Sequence, residues 1–518
     1  MEAPLRRSLA FAGFMGAGKS TLAREAARVL GVELRDADAL IEAELGEPIA
    51  ALWEREGEGA FREREEQVVL RALTGGPAVV SLGGGALGSA RVREALREHV
   101  VVFVDIDRDV AWSRASGGGR PLASDRGRFD TLHAERLPVY RAAANATLSS
   151  SDLATLRGAL PSLRALAEAE PGGGLRMLWA SSASGSYPVW LGEGALTHAP
   201  WPLSEQSRRI GVSDANVADI YAGIVPGLAG LIEIPPGEEH KTLATAERVW
   251  RALVAQQVTR ADHLVAIGGG VVGDLAGFCA ATFQRGIPVV QVPTTLVAQV
   301  DSAYGGKTGV DLPEAKNYVG AYHQPAAVIV DPSVLATLPP EELAAGYPEV
   351  VKTALIAGGT LWDAVGAGAL VDEDVILACA RTKLAVVAAD ERDDGRRQAL
   401  NLGHTIGHAI ETVTGYSRLR HGEAVGLGLL AALRLSGADQ LRGQVAGLLE
   451  AAGLPVTIEG LDVEDVLAAT RLDKKRVGES VPFVLCAAPG EVRHGVEVDP
   501  GDVRAAVVEL IRAGPRPN

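Results

Sequence analysis

The sequence predicts an α/β protein of two units, each built on a parallel sheet that holds a nucleotide, with the second unit ending in a mostly α-helical part. Three observations carry that prediction. Gly13-Phe-Met-Gly-Ala-Gly-Lys19-Ser20 lies between an apolar run, SLAFA, and a helical run, TLAREAARVL, the strand-loop-helix setting of a phosphate loop. Farther on, strand-like runs such as HLVAIGGG, VVQVPTT and AVIVDP alternate with helical stretches, the pattern of a parallel sheet. From Pro339 onward helical segments take over, among them LAAGYPEVVKTALIAG and EAVGLGLLAALRLSGA.

Composition agrees with this and narrows the partners. A chain of 518 residues exceeds what one hydrophobic core usually serves, so two or three domains are expected. Hydrophobic residues at 47% and charged residues at 22% exclude disorder over most of the length. A net charge of -15 argues against general affinity for nucleic acid, so anionic substrates must meet local basic clusters. The three cysteines, Cys279, Cys379 and Cys486, are too scattered for a disulfide framework or a cysteine zinc site, and any metal must use His and carboxylate. The first apolar run passes straight into the phosphate loop, so it reads as a strand and not a signal peptide. No bilayer-length run is free of charges, and the expected location is the cytoplasm, with no membrane partner.

PGGG at Pro171 to Gly174 is the clearest break, since it follows the helical DLATLRGALPSLRALAEAE and precedes the strand-like LRMLWA. The expected domains are therefore 1–170, a linker at 171–175, an α/β part at 176–335 and a helical part at 336–518.

In the first unit, backbone N-H groups of the glycine loop and the helix start suit the phosphates of ATP, Lys19 adds charge, and the Ser20 hydroxyl can ligate Mg2+. Asp36 and Asp38 in RDADALIE lie two apart at the end of a short strand run, which in extended geometry directs both to one face; a helix N-cap is the alternative for such a residue. Arg62 in GEGAFREREE, Gly83 to Gly85 in SLGGGAL, Arg120 in GRPLA and Arg136 in ERLPVY make a set of candidate anion contacts, although any one surface arginine is more often a solvated charge. In family order, GFMGAGKS, DAD, GEGAFR, SLGGG, GRPL and ERLPVY resemble shikimate kinase over essentially the whole unit. The resemblance implies a P-loop kinase domain, with a parallel sheet, flanking helices and a lid, that phosphorylates the shikimate 3-hydroxyl from ATP and Mg2+. It assigns Gly16, Gly18, Lys19, Ser20 and Thr21 to ATP, and Ser20 and Asp36 to magnesium. Asp38, Arg62, Gly84 and Arg136 fall to shikimate, and Arg120 to the lid, with Lys19, Asp38 and Arg120 catalytic. A gluconate-type kinase would share the loop without needing the DxD and GGG pair, and a nucleotide-sensing domain would bind ATP without phosphotransfer.

In the second unit, Gly268-Gly-Gly-Val-Val-Gly273-Asp274 follows a strand and opens a helix, the setting of a pyrophosphate turn; a close-packing turn is the alternative. Asp301, Lys307, Lys316 and Asn317 gather near glycines and suggest an anion pocket. The stretch NLGHTIGHAIE, Asn401 to Glu411, should be helical, with His404 and His408 one turn apart on one face. By spacing alone the pair reads either as two ligands of one ion or as two polar helix residues, and Thr405 stands where a metalloprotease needs Glu. His421 in HGEAVG and Glu349 in GYPEVVK add up to a one-Glu, two- or three-His set with room for a substrate oxygen.

The run GGGVVGD, PTT, VDSAYGGKTGVD, KNYVGAYHQP, TLP, EVVK, LNLGHTIGHAIE, HGEAVG and DKK resembles 3-dehydroquinate synthase from about Leu175 to the C-terminus. That likeness implies a Rossmann-like α/β domain for NAD+ and a helical domain for a divalent metal, Zn2+ or Co2+, held by Glu349, His404 and His421, with His408 on the substrate. It implies NAD+ contacts from Asp214, Asn216, Glu238, Lys241, Gly269, Gly270, Val271, Asp274, Thr294, Thr295, Asp301, Lys316, Thr337, Leu338 and Glu342. It implies substrate contacts from Arg285, Asp301, Lys307, Lys316, Asn317, Lys352, Lys383, Arg397, Asn401, His408 and Lys475, with Lys307, Lys352, Asn401 and His408 catalytic. The implied reaction turns 3-deoxy-D-arabino-heptulosonate 7-phosphate into 3-dehydroquinate and phosphate, with NAD+ regenerated, in a homodimer formed through this unit. Tyr304 replaces an expected aliphatic residue and Leu402 an expected Phe. The alternatives are another sugar-phosphate cyclase, a metal-dependent polyol dehydrogenase, or a regulatory nucleotide-binding module.

Overall fold

The computed structural model describes residues 5–116, 125–170, 172, 174–204, 206–471 and 481–512. They form two compact units, the first of residues 1–181 and 185–203 and the second of residues 182–184 and 204–518.

Seven strands build the first unit: β1 (Leu9–Ala12), β2 (Leu34–Asp36), β3 (Val79–Ser81), β4 (Val100–Val104), β5 (Ala146–Leu148), β6 (Arg176–Ser181) and β7 (Ser186–Leu191). They pair in the order β2-β3-β1-β4-β5-β6-β7, parallel except for the β6–β7 hairpin. Every residue of β1, β3, β4 and β5 is buried, as continuous apolar strands covered on both faces must be. Strand order reverses at β1, and the phosphate loop leaves its carboxyl end, where ligands of open α/β sheets bind. The compact units do not divide at Pro171, the break expected from composition. Met177, Leu178 and Trp179 of β6 instead pair in parallel register with Ala146, Thr147 and Leu148 of β5, so the chain beyond PGGG extends the first sheet.

The expected shared face of Asp36 and Asp38 also fails. The strand ends at Asp36, whose carboxylate accepts from the Ala39 N-H and caps the helix Ala37–Leu45, leaving Asp38 in that helix's first turn. Asp has no β preference to continue the strand, and its local hydrogen bond wins.

In the second unit β8 (Arg209–Asp214), β9 (Leu228–Ile234), β10 (His263–Gly268) and β11 (Val289–Pro293) precede an antiparallel hairpin, β12 (Lys307–Leu312) and β13 (Ala315–Tyr322), and then β14 (Ala327–Val330). The parallel order β14-β11-β10-β8-β9 sends the chain one way from β8 and the other way from β10. A crevice therefore opens at the carboxyl ends of β8 and β10, where Ser213 Oγ ties the two by donating to the Ile267 carbonyl at 2.7 Å.

The rest of the described residues are mostly helical, as expected, with an antiparallel hairpin, Phe483–Ala488 with Glu491–Val496, and a short parallel pair, Ile458–Glu459 with Ile511–Arg512. Helices Pro340–Ala357, His404–Val413 and His421–Leu435 pack at unusually short range. A Cβ on Gly428 would lie 1.8 Å from the Gly403 carbonyl oxygen, and one on Gly422 would lie 1.6 Å from that of Ala345, so only glycine admits these approaches. The helix expected from Asn401 begins at His404 instead. Gly403 takes a left-handed conformation, φ 80°, and separates the helix from a 3-10 turn, Arg396–Asn401.

Candidate functional site

In the first unit a cavity of about 600 Å³ opens beside the phosphate loop, lined among others by Arg62, Glu65, Gly84, Arg136 and Tyr140. Arg62 Nη1 donates to Glu65 Oε2 at 2.6 Å, Arg136 Nη1 to the Gly84 carbonyl at 2.9 Å, and Tyr140 to the same carbonyl. Glu65 is 2% exposed, and burial pushes its carboxyl above the usual range despite Arg62. Asp38 adds to that push, which sets it near the same pocket. Two guanidinium groups on a concave wall suit a carboxylate ligand. Lys19 Nζ reaches back to the Phe14 carbonyl at 3.1 Å, and Ser20 Oγ lies 3.1 Å from Ser81 Oγ. Gly16, Gly18 and Thr21 belong to the loop and first turn around them. Glu65 and Tyr140 are absent from the sequence-based set; Glu65 was findable, one helical turn after Arg62. Arg120 lies outside the described residues, as does Lys475.

At the second unit's crevice Asp214 ends β8 and accepts from Asn216 N at 2.9 Å and Val217 N at 3.2 Å, while Gly269, Gly270 and Val271 open the helix Gly270–Thr282. Asp274 on that helix meets Lys241 Nζ at 3.2 Å, and Glu238 meets it at 3.1 Å. Burial nonetheless raises the Asp274 carboxyl. Thr294 is buried with an unpartnered hydroxyl, Thr295 Oγ1 accepts from Ala298 N at 3.3 Å, and Thr337 Oγ1 lies 2.6 Å from Tyr221 OH. Leu338 follows directly. Glu342 is drawn outward to Arg420 at 2.7 Å.

Across the helical part, Glu349 of helix Pro340–Ala357 is wholly buried, with Lys352 Nζ against its Oε2. His421 Nε2 stands 3.4 Å and His404 Nε2 3.7 Å from its Oε1, and ligand atoms of the three lie within 4.8 Å of one another. The Leu402 carbonyl 3.2 Å from His404 Nδ1 turns the other ring nitrogen toward Glu349. Burial opposes protonation of His421, but Glu349 and Glu411 outweigh it and raise the ring to about 10. A wholly buried carboxylate facing two imidazoles fits a divalent cation that leaves a coordination position open. His408 groups with Glu411 and His421, whereas His404 groups with Glu349 and His421.

Beside this set, Lys352 Nζ bridges Glu349 and Asp301, the latter at 3.2 Å, and Lys383 Nζ binds the Asp301 carboxylate and its carbonyl, the carbonyl at 2.6 Å. Burial would raise the Asp301 carboxyl, yet the two ammonium groups hold it well below the usual range. Lys307 pairs with Asp393 at 2.5 Å, and Lys316 lies 3.4 Å from Glu411 and 3.7 Å from Glu238. Asn317 takes a left-handed turn, φ 55°, with its N-H on Asp311. Asn401 closes the 3-10 turn before His404. Two residues sit less favourably than their expected roles. Arg397 spends both terminal nitrogens on the carbonyls of Glu391 and Gly305, at 2.5 and 2.9 Å, and Arg285, φ 69°, joins none of the described ion pairs. Tyr304 is buried and donates to the Gln299 carbonyl at 2.6 Å, so its ring faces the interior.

Fold and sites together define the class: a phosphate-loop α/β enzyme joined to an α/β enzyme with a dinucleotide-type turn and a Glu-His-His centre. Comparison with known proteins resolves each half. The shikimate kinase profile matches residues 15–164, 3-dehydroquinate synthase N-terminal matches 231–345, and 3-dehydroquinate synthase C-terminal matches 346–476. The chain is 43% identical over 356 residues to the 3-dehydroquinate synthase of Halorhodospira halophila, covering 65% of this chain and 100% of the relative. It is 46% identical over 325 residues to that of Thermosynechococcus vestitus, covering 58% and 87%. A solved 2-epi-5-epi-valiolone synthase from Streptomyces hygroscopicus, with NAD+ and Zn2+ bound, superposes at TM-score 0.58 and 27% identity over 64% of this chain and 98% of that one. The chain belongs to the 3-dehydroquinate synthase family and is a fusion of that enzyme with a shikimate kinase domain. Among the described residues no helix is long and apolar enough to cross a membrane.

Proposed function

We propose that the chain is a bifunctional enzyme of the shikimate pathway. Its first unit transfers the γ-phosphoryl group of ATP, with Mg2+, to the 3-hydroxyl of shikimate. Its second unit converts 3-deoxy-D-arabino-heptulosonate 7-phosphate to 3-dehydroquinate and phosphate with NAD+ and Zn2+ or Co2+, as a homodimer. The observation that carries the reading is the wholly buried carboxylate of Glu349 facing His404 and His421 and paired with Lys352 of the Lys352–Asp301–Lys383 chain. A polyol dehydrogenase has no use for so many buried cations around its centre, whereas a substrate that carries both phosphate and carboxylate does.

In the kinase unit Arg62 and Arg136 seize the shikimate carboxylate and orient the ring, Asp38 receives the proton of the attacking hydroxyl, and Lys19 with the loop N-H groups steadies the transferred phosphoryl. In the synthase unit Glu349, His404 and His421 would hold the divalent ion, and the crevice at β8 and β10 would hold NAD+. These two groups supply, respectively, polarisation of a substrate hydroxyl and a reversible hydride acceptor. Lys352 and Lys383, locked on Asp301, orient the substrate's oxygens, and His408 with Lys316 lies on the side of the pocket where the anionic groups are received.

The test uses the full chain and two assays. Phosphate release from the heptulosonate phosphate is expected with catalytic NAD+ and no net NADH, and ADP release is expected to depend on shikimate. Asp38→Asn should abolish the second activity while preserving ATP binding and the first activity. Steady accumulation of NADH would make the second unit a dehydrogenase, and undiminished ADP release in Asp38→Asn would break the kinase pocket assignment.

A further inference from the structure

Glu411 has no part in the roles assigned above, yet it is one of the most deeply buried charges in the molecule. It lies one turn beyond His408 on the helix His404–Val413 and is 2% exposed. A carboxylate in that position persists only with partners. Its partners are His421, whose Nδ1 is 3.4 Å from both of its oxygens, and Lys316, whose Nζ is 3.4 Å from Oε1. Lys316 is itself held over the Tyr416 ring at 4.3 Å and faces Glu238 at 3.7 Å.

The two nitrogens of His421 thus point at different carboxylates, Nδ1 at Glu411 and Nε2 at Glu349. A neutral imidazole carries one N-H and one lone pair, and an ionised carboxylate only accepts. With a cation on the Nε2 side, the carboxylate against Nδ1 holds the single N-H there and leaves the lone pair on Nε2. We propose that Glu411 is a positioning residue. It holds His421 in the Nδ1-H form with the Nε2 lone pair presented to the cation site of Glu349 and His404, and it ties that site to Lys316 on the β12–β13 hairpin. The inference rests on the reading of Glu349, His404 and His421 as that cation site. His408, Glu411 and His421 could by distance alone hold an ion themselves. Each carboxylate already has a lysine, Lys352 for Glu349 and Lys316 for Glu411, but Glu349 has both His404 and His421 within 3.7 Å of one oxygen, which favours its set.

A carboxylate behind a ligating imidazole raises its basicity, and losing one costs about 10- to 100-fold in metal affinity. Zinc affinity of the full-length protein is measured by chelator competition for the parent, Glu411→Ala, Glu411→Gln and His404→Ala, together with the visible spectrum of each loaded with Co2+. Glu411→Ala should bind zinc about 10- to 100-fold more weakly and shift the Co2+ bands. The amide oxygen of Glu411→Gln still accepts from Nδ1-H, so this variant should lose less, and it carries the test if the alanine variant does not fold. His404→Ala should lose more than either. Affinity within twofold of the parent in both Glu411 variants, with His404→Ala impaired, overturns the proposal and leaves the ion site standing. Loss in Glu411→Gln as complete as in His404→Ala would make Glu411 a ligand and also overturn it. No loss in His404→Ala would instead bring down the cation-site reading itself.

Discussion

Lys352 holds the charge balance of the synthase centre, and deleting its charge is the sharpest test of how that centre is built. The ammonium is 1% exposed and joins Glu349 to Asp301. Lys352→Met keeps the stem and removes the charge. Asp301 still has Lys383, but Glu349 is left facing His404 and His421 alone. Taking one partner from a buried ion pair costs about 3–5 kcal/mol, because the remaining charge stays out of water. His421, raised to about 10, takes up part of the countercharge and favours the lower end of that range. At about 1.4 kcal/mol per decade, the expected loss is two to nearly four orders of magnitude in the local opening equilibrium. Hydrogen exchange of the amides of helix Pro340–Ala357 in the full chain reads this directly, with divalent ions removed by chelation and then restored. Exchange should accelerate about 100-fold or more without the ion. A divalent ion at 100 times its dissociation constant should return about 2.7 kcal/mol of that by neutralising Glu349. Turnover should be lost in both states. Acceleration below tenfold in the ion-free protein, or no recovery with the ion, would refute the argument that Glu349 depends on Lys352 and accepts a cation in its place.

Three further outcomes follow from the same geometry. Metal content by elemental analysis should fall in His421→Ala and hold in His408→Ala, and the reverse would reassign the ligands. Arg62→Met should raise the shikimate KM by about 100-fold, the equivalent of one lost charge-assisted pair of about 3 kcal/mol, while leaving the Kd for ATP within a factor of two; a KM change below threefold would place the carboxylate elsewhere. Burial, with Arg209 adding to it, depresses His263 from 6.5 to about 4, so the fold favours the neutral ring. Its contribution is complete above pH 6.5 and is lost as pH falls toward 4. It amounts to about 3 kcal/mol, and His263→Asn should flatten the pH dependence of the urea midpoint over that window.

What sequence reading reached and what it missed divide along physical lines. The phosphate loop and the glycine turn are local, since a few residues set both the backbone and the chemistry, and both stand at the strand ends where they were expected. Alternation of strand and helix likewise predicts the parallel sheets. Helical spacing places His404 and His408 on one face but is silent about which ring nitrogen meets Glu349, because that depends on a carbonyl of Leu402 and on helices brought together by Gly422 and Gly428. Those contacts join residues far apart in the chain. Of the two readings open for Asp36, the helix N-cap prevails because a single side chain to backbone hydrogen bond ends its strand early. Arg397 comes into the substrate set through the resemblance alone, and spacing says nothing of the two carbonyls of its own chain that its fork meets.

The parallel pairing of β5 with β6 bears on how the gene can be cut. A fragment ending at residue 170 stops within the composition-based boundary, yet it removes the strand that covers Ala146–Leu148 and leaves a buried, apolar edge bare, the kind of edge that recruits other chains. The complementary fragment would begin with the β6–β7 hairpin, whose β6 edge is then without β5. A junction near residue 203, the end of the first compact unit, would keep that pairing but cut into the stretch that aligns with the Halorhodospira halophila relative, which spans 65% of this chain and 100% of the relative. An insoluble or inactive fragment made at PGGG would report a torn sheet and say nothing about whether one enzyme depends on the other.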